Sequence, residues 1–294
     1  MYSLNMFIDE QFIIKNGDFT TTGSAKATHK DLILCYAVTL EYIKKADTNP
    51  HISCIITNEE LASQIKNKAV AVVADPDIMF GQIVNQLIKD GKLSPSMDFS
   101  IDTTANLHSS AMISKKCKIG KNVVVGRNSI IEDYTILDDN VIIGDNVVIG
   151  CDGFYFKRNN AGELVKFLHA GGVHLHKDVE VMTGSMVQRA HDANFTVVGE
   201  GTKISVNVNI GHSSCIGKHN MITGNVQISG RVTMGDYCWI GTSTTISNGV
   251  KIGNYSEIKI GSVIIRNVKD NEIVSGNFAM PHSINMKNYI KAQR

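Results

Sequence analysis

The stretch LHSSAMISKKCKIGKNVVVGRNSIIEDYTILDDNVIIGDNVVIG, residues 107–150, carries an aliphatic side chain at every sixth position: Leu107, Ile113, Ile119, Val125, Ile131, Leu137, Ile143 and Ile149. Four places after each stands a small or β-branched residue: Ala111, Cys117, Val123, Ser129, Thr135, Val141, Val147 and Gly153. A period of six is neither that of a helix nor the simple alternation of a half-buried strand. It suits a coil of short parallel strands in which each frame forms one flat face and glycine or asparagine turns the corner with positive φ. Three faces close a triangular prism, so three frames of six make a coil of 18 and residues 18 apart stack. Aliphatic side chains then fill the axis, and each coil buries its face on the next.

The period resumes at Leu175, Val181 and Val187 and loses one residue near 193. It then runs from Val198 through Ile204, Ile210, Ile216, Ile222, Ile228, Met234, Ile240, Ile246, Ile252 and Ile258 to Ile264. Between the two runs, CDGFYFKRNNAGELVKFLHAGG (151–172) breaks the register. Long insertions in repeat proteins tend to be functional loops on one face, and a hairpin is expected around Asn159 to Gly162.

Residues 1–104 lack the period. DLILCYAVTLEYIKKA reads as a strand or helix start followed by an amphipathic helix, and HISCIIT and AVAVVAD as short β-rich runs. PDIMFGQIVNQLIKDG reads as a helix with Pro76 near its start and Gly91 after its end. Alternating strands and helices make a small α/β domain, and LSPSMDFSIDTT reads as a polar linker. The expected plan is mainly β: an α/β domain over 1–104, a parallel β-helix over 105–271 with the inserted loop 151–172, and a tail or short helix over 272–294.

Composition narrows the function classes. A formal net charge of +1 argues against a dedicated nucleic-acid binder. The start, MYSLNMFIDE, lacks a basic n-region and no long apolar run follows, so the expectation is a cytoplasmic protein without a membrane span. Cysteines at 35, 54, 117, 151, 215 and 238 form no CxxC pair. They read as reduced, mostly buried small hydrophobes.

With these residues in view, the chain resembles the hexapeptide-repeat acyltransferases, and among them the N-acyltransferases of lipid A biosynthesis that act on UDP-3-O-acylglucosamine. DGFYFKRNNAGELVK (152–166) is similar to that family's D-G-F-x-[YF] loop closing with a lysine. VGEGTKISVNVNIGHSSCIGKHNMITGNVQISGRVTMGDYCWIG (198–241) is similar to its G-T-K-I, I-x-H and I-x-G signatures. The tail KIGNYSEIKIGSVIIRNVKDNEIVSGNFA also resembles amino-sugar N-acetyltransferases.

The resemblance implies a left-handed β-helix, although the usual crossover rule would favour the right hand. It also implies a homotrimer and no permanently bound cofactor. Acyl-CoA or acyl carrier protein would be the donor, and the amine of a nucleotide-linked amino sugar the acceptor, in cell-envelope or surface-glycan biosynthesis. His212 falls on the catalytic base, and Gly230 on the glycine whose N–H holds the oxyanion. Independently, 230 − 212 is 18, one coil, so the two should stack at one corner. Acceptor contacts fall on Tyr36, Phe154, Phe156, Lys166, Gln188 and Asn194, with Tyr42 a further residue for stacking a base. Donor contacts fall on Gly241, Thr242, Ile258 and Ser262, and the family's G-N-P-A ending reads Gly276, Asn277, Phe278, Ala279 here.

Several positions depart from the family pattern. A second histidine of the site is replaced by Gly249, the acid before Arg189 by Gln188, and a Phe/Asn/Tyr set framing the base pocket by Ile33, Tyr36 and Thr39. These departures point to a relative with altered substrates. The alternatives are the lipid A enzyme proper and a non-catalytic hexapeptide binding or scaffold protein. Acyl transfer to an amine needs a base and an oxyanion donor, which a histidine and a backbone N–H supply without metal. His169, His174 and His176 invite a zinc reading. They cluster in and just after one inserted segment with no partner histidine at the required spacing, so no metal is expected.

Overall fold

The computed structural model describes residues 1–28, 30–276 and 280–292. It divides into two units. The first comprises Met1–Ser96, Asp152–Gly171 and Ala190–Phe195, and the second Met97–Cys151, Gly172–Arg189 and Thr196–Arg294.

The second unit is the prism. Its strands, mostly two residues long, stack into three parallel sheets of eight, eight and nine strands. Partners are 18 apart, as in Met112 with Ile130, Lys118 with Ile136 and Val124 with Ile142. The inward aliphatic residues, from Ile119 to Ile264, form one continuous buried core. Corners are turned in the left-handed φ region, by Asn122, Asn128, Asn140, Asn146, Asn207 and Asn225 among others. Asparagine tolerates this conformation better than most residues.

Two expectations change. Ser100–Ile101 pairs in parallel with Lys118–Ile119, so the end of the segment read as a linker is already prism. Near 193 the chain gains residues instead of losing one. Val187 pairs with Ile210, a separation of 23, which is 18 + 5. Losing one and gaining five leave the same phase in a period of six, so the pattern alone does not separate them. By the same count Leu137 pairs with Leu175, 38 apart, and the larger excursion adds 20 residues.

Buried polar residues of the prism, among them Ser129, Ser185, Thr202, Ser214 and Asn220, tie one coil to the next. Asn220 is fully buried. Its amide nitrogen donates to the Gly235 carbonyl at 3.0 Å, and its Oδ1 accepts from the Cys238 N–H at 2.6 Å. Replacing it with alanine strands two main-chain groups of the next coil. Asn220→Ala is expected to lower stability by about 2–4 kcal/mol, read from the urea midpoint.

The first unit has a five-stranded sheet in the order Ile13–Lys15, Ala69–Val72, Ile52–Thr57, Ile33–Tyr36, Thr21–Thr22, parallel except for the first pairing. Helices Leu40–Thr48 and Pro76–Lys89 follow strands as expected; Thr39 caps the first, and Gly91, at φ +67, follows the second. Both excursions from the prism belong here. The longer one forms an antiparallel hairpin, Phe156–Arg158 with Leu164–Lys166, turned through Gly162 at φ +86. It docks on the second helix at Gly81, where an added Cβ would lie 2.2 Å from the Phe167 ring. Asn85 fastens it, donating to the Lys166 carbonyl and accepting from the Leu168 N–H at 2.8 and 2.7 Å.

Cys35, Cys54, Cys117 and Cys238 are buried, Cys215 is exposed, and all six cysteines are free thiols. Burial pushes the Cys35 thiol up to about 12. Residues His282–Ala292 form a helix, and among the described residues no helix is long and apolar enough to cross a membrane.

Candidate functional site

His212 and Gly230 meet at one corner of the prism. The strands Asn209–Ile210 and Gln227–Ile228 pair directly, and each chain turns immediately afterwards. Ser213 and Arg231 take the left-handed conformation at φ 56 and 59. The Arg231 N–H donates to the His212 carbonyl at 2.8 Å, and the Ser213 N–H to Thr196 Oγ1 at 2.8 Å. The half-buried imidazole lies directly on Gly230: a Cβ there would stand 2.2 Å from Nε2 and 2.4 Å from Cε1. Only glycine leaves the ring this place.

Among the described residues the Gly230 N–H is open, as are those of Gly224 and Thr242 at the same position of neighbouring frames; what sets it apart is the imidazole beside it. At the same position of other frames, the amides of Lys121, Arg127, Lys218, Asp236 and Asn254 are capped by a side-chain oxygen from the next coil. The caps are Asp139, Asp145, Asp236, Asn254 and Asp270, at 2.6 to 2.8 Å. One coil after Gly230 stands Asn248, and among the described residues the Gly230 N–H gives no hydrogen bond. A main-chain donor left open beside an imidazole can take an oxygen that gains negative charge.

Gln188 joins this corner. Its Oε1 accepts from the His212 N–H at 3.2 Å and its Nε2 donates to Asn209 Oδ1 at 3.0 Å. The register Val187 to Ile210 therefore stacks Gln188 and Arg189 against Gly211 and His212. Asn194 is displaced from that stack, because it belongs to the five-residue excursion and bonds within it, to Asp192. Gly249, at φ +73, has open space around it.

The other acceptor candidates lie in the first unit. Phe154 is 83% exposed and packs against Phe156 at 5.0 Å between ring centroids. Lys166 is exposed and pairs with Asp152 at 3.8 Å. Tyr36 is held by Lys157, whose ammonium bonds its hydroxyl at 3.2 Å, sits 4.9 Å from its ring centroid and pairs with Asp77 at 2.7 Å. Burial opposes the Lys157 charge, but the hydrogen bonds it donates to Asp77 and Tyr36 outweigh it and raise the lysine above its ordinary value. Lys157 was not among the residues singled out from sequence; nothing in the repeat marks it.

Of the donor candidates, Gly241 and Thr242 lie at a corner, with the Thr242 hydroxyl 3.2 Å from that of Thr223. The side chains of Ile258 and Ser262 face the prism interior, against the expectation of donor contacts. Ile258 is fully buried in the prism core, and Ser262 is 1% exposed with its hydroxyl bonded inward to the Lys259 carbonyl at 2.6 Å. Neither side chain can meet a bound donor. Residues 277–279 of the G-N-P-A-like ending lie outside the described residues.

The three clustered histidines separate. His169 is buried in the first unit and accepts from the Gly153 N–H at 3.2 Å. His191 stacks on Tyr155 there, 4.0 Å apart and 7° from parallel. His174 and His176 lie in the prism, each with a ring nitrogen 3.0 Å from Asp138 Oδ2. Burial, with His176 and Lys118 adding to it, holds the His174 imidazole below the ordinary histidine value, against the pull of Asp138. The metal-free expectation rested on the lack of a partner histidine; the partner present is a carboxylate, and these three form the one His/Cys/Asp/Glu cluster of metal-binding size among the described residues.

No family model and no curated protein matches the chain. Solved structures do. UDP-N-acetylglucosamine acyltransferase from Campylobacter jejuni is 20% identical over 60% of this chain and 72% of its own, with a TM-score of 0.50. LpxA from Acinetobacter baumannii is 23% identical over 65% and 74%, at 0.47. PerB from Caulobacter crescentus, solved with CoA and GDP-perosamine, is 13% identical over 76% and 68%, at 0.25. At such identities the likeness is one of fold: the second unit of this chain is a hexapeptide-repeat, left-handed parallel β-helix like that of the Campylobacter acyltransferase.

Proposed function

We propose that the protein is an N-acyltransferase that moves an acyl group from a pantetheine thioester, acyl-CoA or acyl carrier protein, to the amine of a nucleotide-linked amino sugar. The observation that carries this reading is the imidazole of His212 seated on Gly230, whose main-chain N–H is left uncapped. The amine attacks the thioester carbonyl, His212 takes its proton, and the Gly230 N–H donates to the oxygen that becomes an oxyanion. As the tetrahedral intermediate collapses, the proton passes from His212 to the departing thiolate. One base and one donor serve both halves of the reaction.

In this reading Gln188 holds the His212 main chain, and Gly241 and Thr242 contact the pantetheine arm. Tyr36, Phe154, Phe156 and Lys166 are the nucleotide-sugar contacts, and the working form is a homotrimer. The resemblance in the sequence supports these assignments, as does the exposure of Phe154 and Lys166.

The test is thiol release from acetyl-CoA, longer acyl-CoAs and acyl carrier protein against UDP- and dTDP-amino sugars, with the product weighed by mass spectrometry. The expected result is turnover of one donor and acceptor pair, the product gaining one acyl group on its amine. Sugar-nucleotide binding with no thiol release from any donor would make the protein a binding module instead.

A further inference from the structure

A second cluster lies at another corner of the prism. His212 follows the sheet that contains Ile210, whereas Asp138 and His176 follow the sheet that contains Leu137 and Leu175. Down this second corner the residue after the inward aliphatic side chain is glycine at 120, 199, 217, 235 and 253. Close packing explains why. An added Cβ would lie 2.8 Å from the Asp139 nitrogen at Gly120, 2.5 Å from the Gly235 carbonyl oxygen at Gly217, and 2.3 Å from the Asp270 nitrogen at Gly253. The two coils between Gly120 and Gly199 instead carry Asp138 and His176, stacked by the pairing of Leu137 with Leu175. His174 stands beside them, opposite Ile136.

We propose that Asp138, His174 and His176 bind a divalent transition-metal ion. Asp138 Oδ2 is 3.0 Å from His174 Nε2 and 3.0 Å from His176 Nδ1, and the three ligand atoms lie within 4.8 Å of one another. Metal–nitrogen and metal–oxygen bonds of about 2.0–2.2 Å place neighbouring ligand atoms about 3 Å apart, so small side-chain rotations suffice. Two imidazoles and one carboxylate suit zinc, cobalt, nickel or copper, whereas calcium and magnesium favour all-oxygen sites. All three side chains are part-exposed, which leaves room for water to complete the coordination. The surrounding charges are mixed: Lys118 and Lys177 line the adjoining open cavity together with Asp139.

The ion would act as a clip. Asp138 lies on the coil before the 20-residue excursion and the histidines on the coil where the chain returns, so one ion ties the two across the break.

The experiment uses full-length protein freed of metal with a chelator that is then removed. Zinc is titrated calorimetrically, cobalt by visible absorption, and Tm is followed with each. The expected result is one ion per chain, a rise in Tm, and cobalt bands free of thiolate charge transfer. His174→Ala and His176→Ala should each weaken binding by at least about tenfold. The near-isosteric Asp138→Asn should weaken it as well and serves if a histidine variant fails to fold. Absence of saturable binding would overturn the proposal. So would unchanged affinity in these variants, or loss of binding in Cys215→Ser, which would assign the ion to the exposed thiol.

Discussion

His212→Ala is expected to lower kcat by about 10²–10⁴-fold, the usual contribution of a positioned general base, with a much smaller effect on KM. The two constants divide this way because the imidazole is assigned to the proton moved in the transition state and not to holding either substrate. The fold should survive. The ring is half-buried at a corner, outside the aliphatic axis, and the corner is fixed by main-chain bonds from Arg231 and Ser213 that alanine keeps. An unchanged melting temperature beside the lost turnover is therefore part of the expected result. Full turnover in His212→Ala would remove the histidine from the chemistry and with it the mechanism.

How much of this corner the sequence makes legible follows from the physics of a repeat. A strict period of six converts sequence distance into position, so the arithmetic that stacked His212 on Gly230 was sound wherever the period was unbroken. The same arithmetic failed across the break near 193. An excursion of five residues has the phase of a one-residue loss, so the period alone does not reveal that Gln188 and Arg189 stack on Gly211 and His212. Asp138 went unnoticed beside His174 and His176 for the same reason: their separation, 36 and 38 residues, becomes two adjacent coils only once 20 residues are known to leave the prism. Ile258 shows a different failure. Its resemblance to a donor contact conflicted with its own place in the period, which points inward, and the period was the stronger guide. Lys157 was illegible for a third reason. Its partners Tyr36 and Asp77 are 121 and 80 residues away in sequence, and no local pattern encodes a pairing made by an inserted hairpin.

Gly230→Ala isolates the geometry of the pair from its chemistry. The substitution keeps the main-chain N–H, and Gly230 is not among the residues of positive φ, so alanine suits the backbone. The added methyl is placed 2.2 Å from His212 Nε2, a distance no two such atoms hold. Either the imidazole swings away or the corner shifts, and the side chain gives more easily than the ladder bond from the Gly211 N–H to the Ile228 carbonyl at 2.8 Å. A base displaced by about 1 Å is expected to cost on the order of 10²-fold in kcat, while Tm changes little. The sharper reading comes from combining the two substitutions. If the methyl acts by moving the ring, then in a His212→Ala background there is no ring to move, and Gly230→Ala should add almost nothing to the loss already present. Contacting residues that act as a unit show this kind of non-additivity, whereas independent ones add. Single losses that multiplied in the double variant would mean that Gly230 contributes by a separate route. Near-native turnover in Gly230→Ala would mean that the imidazole works from a rotamer other than the one seated on the glycine.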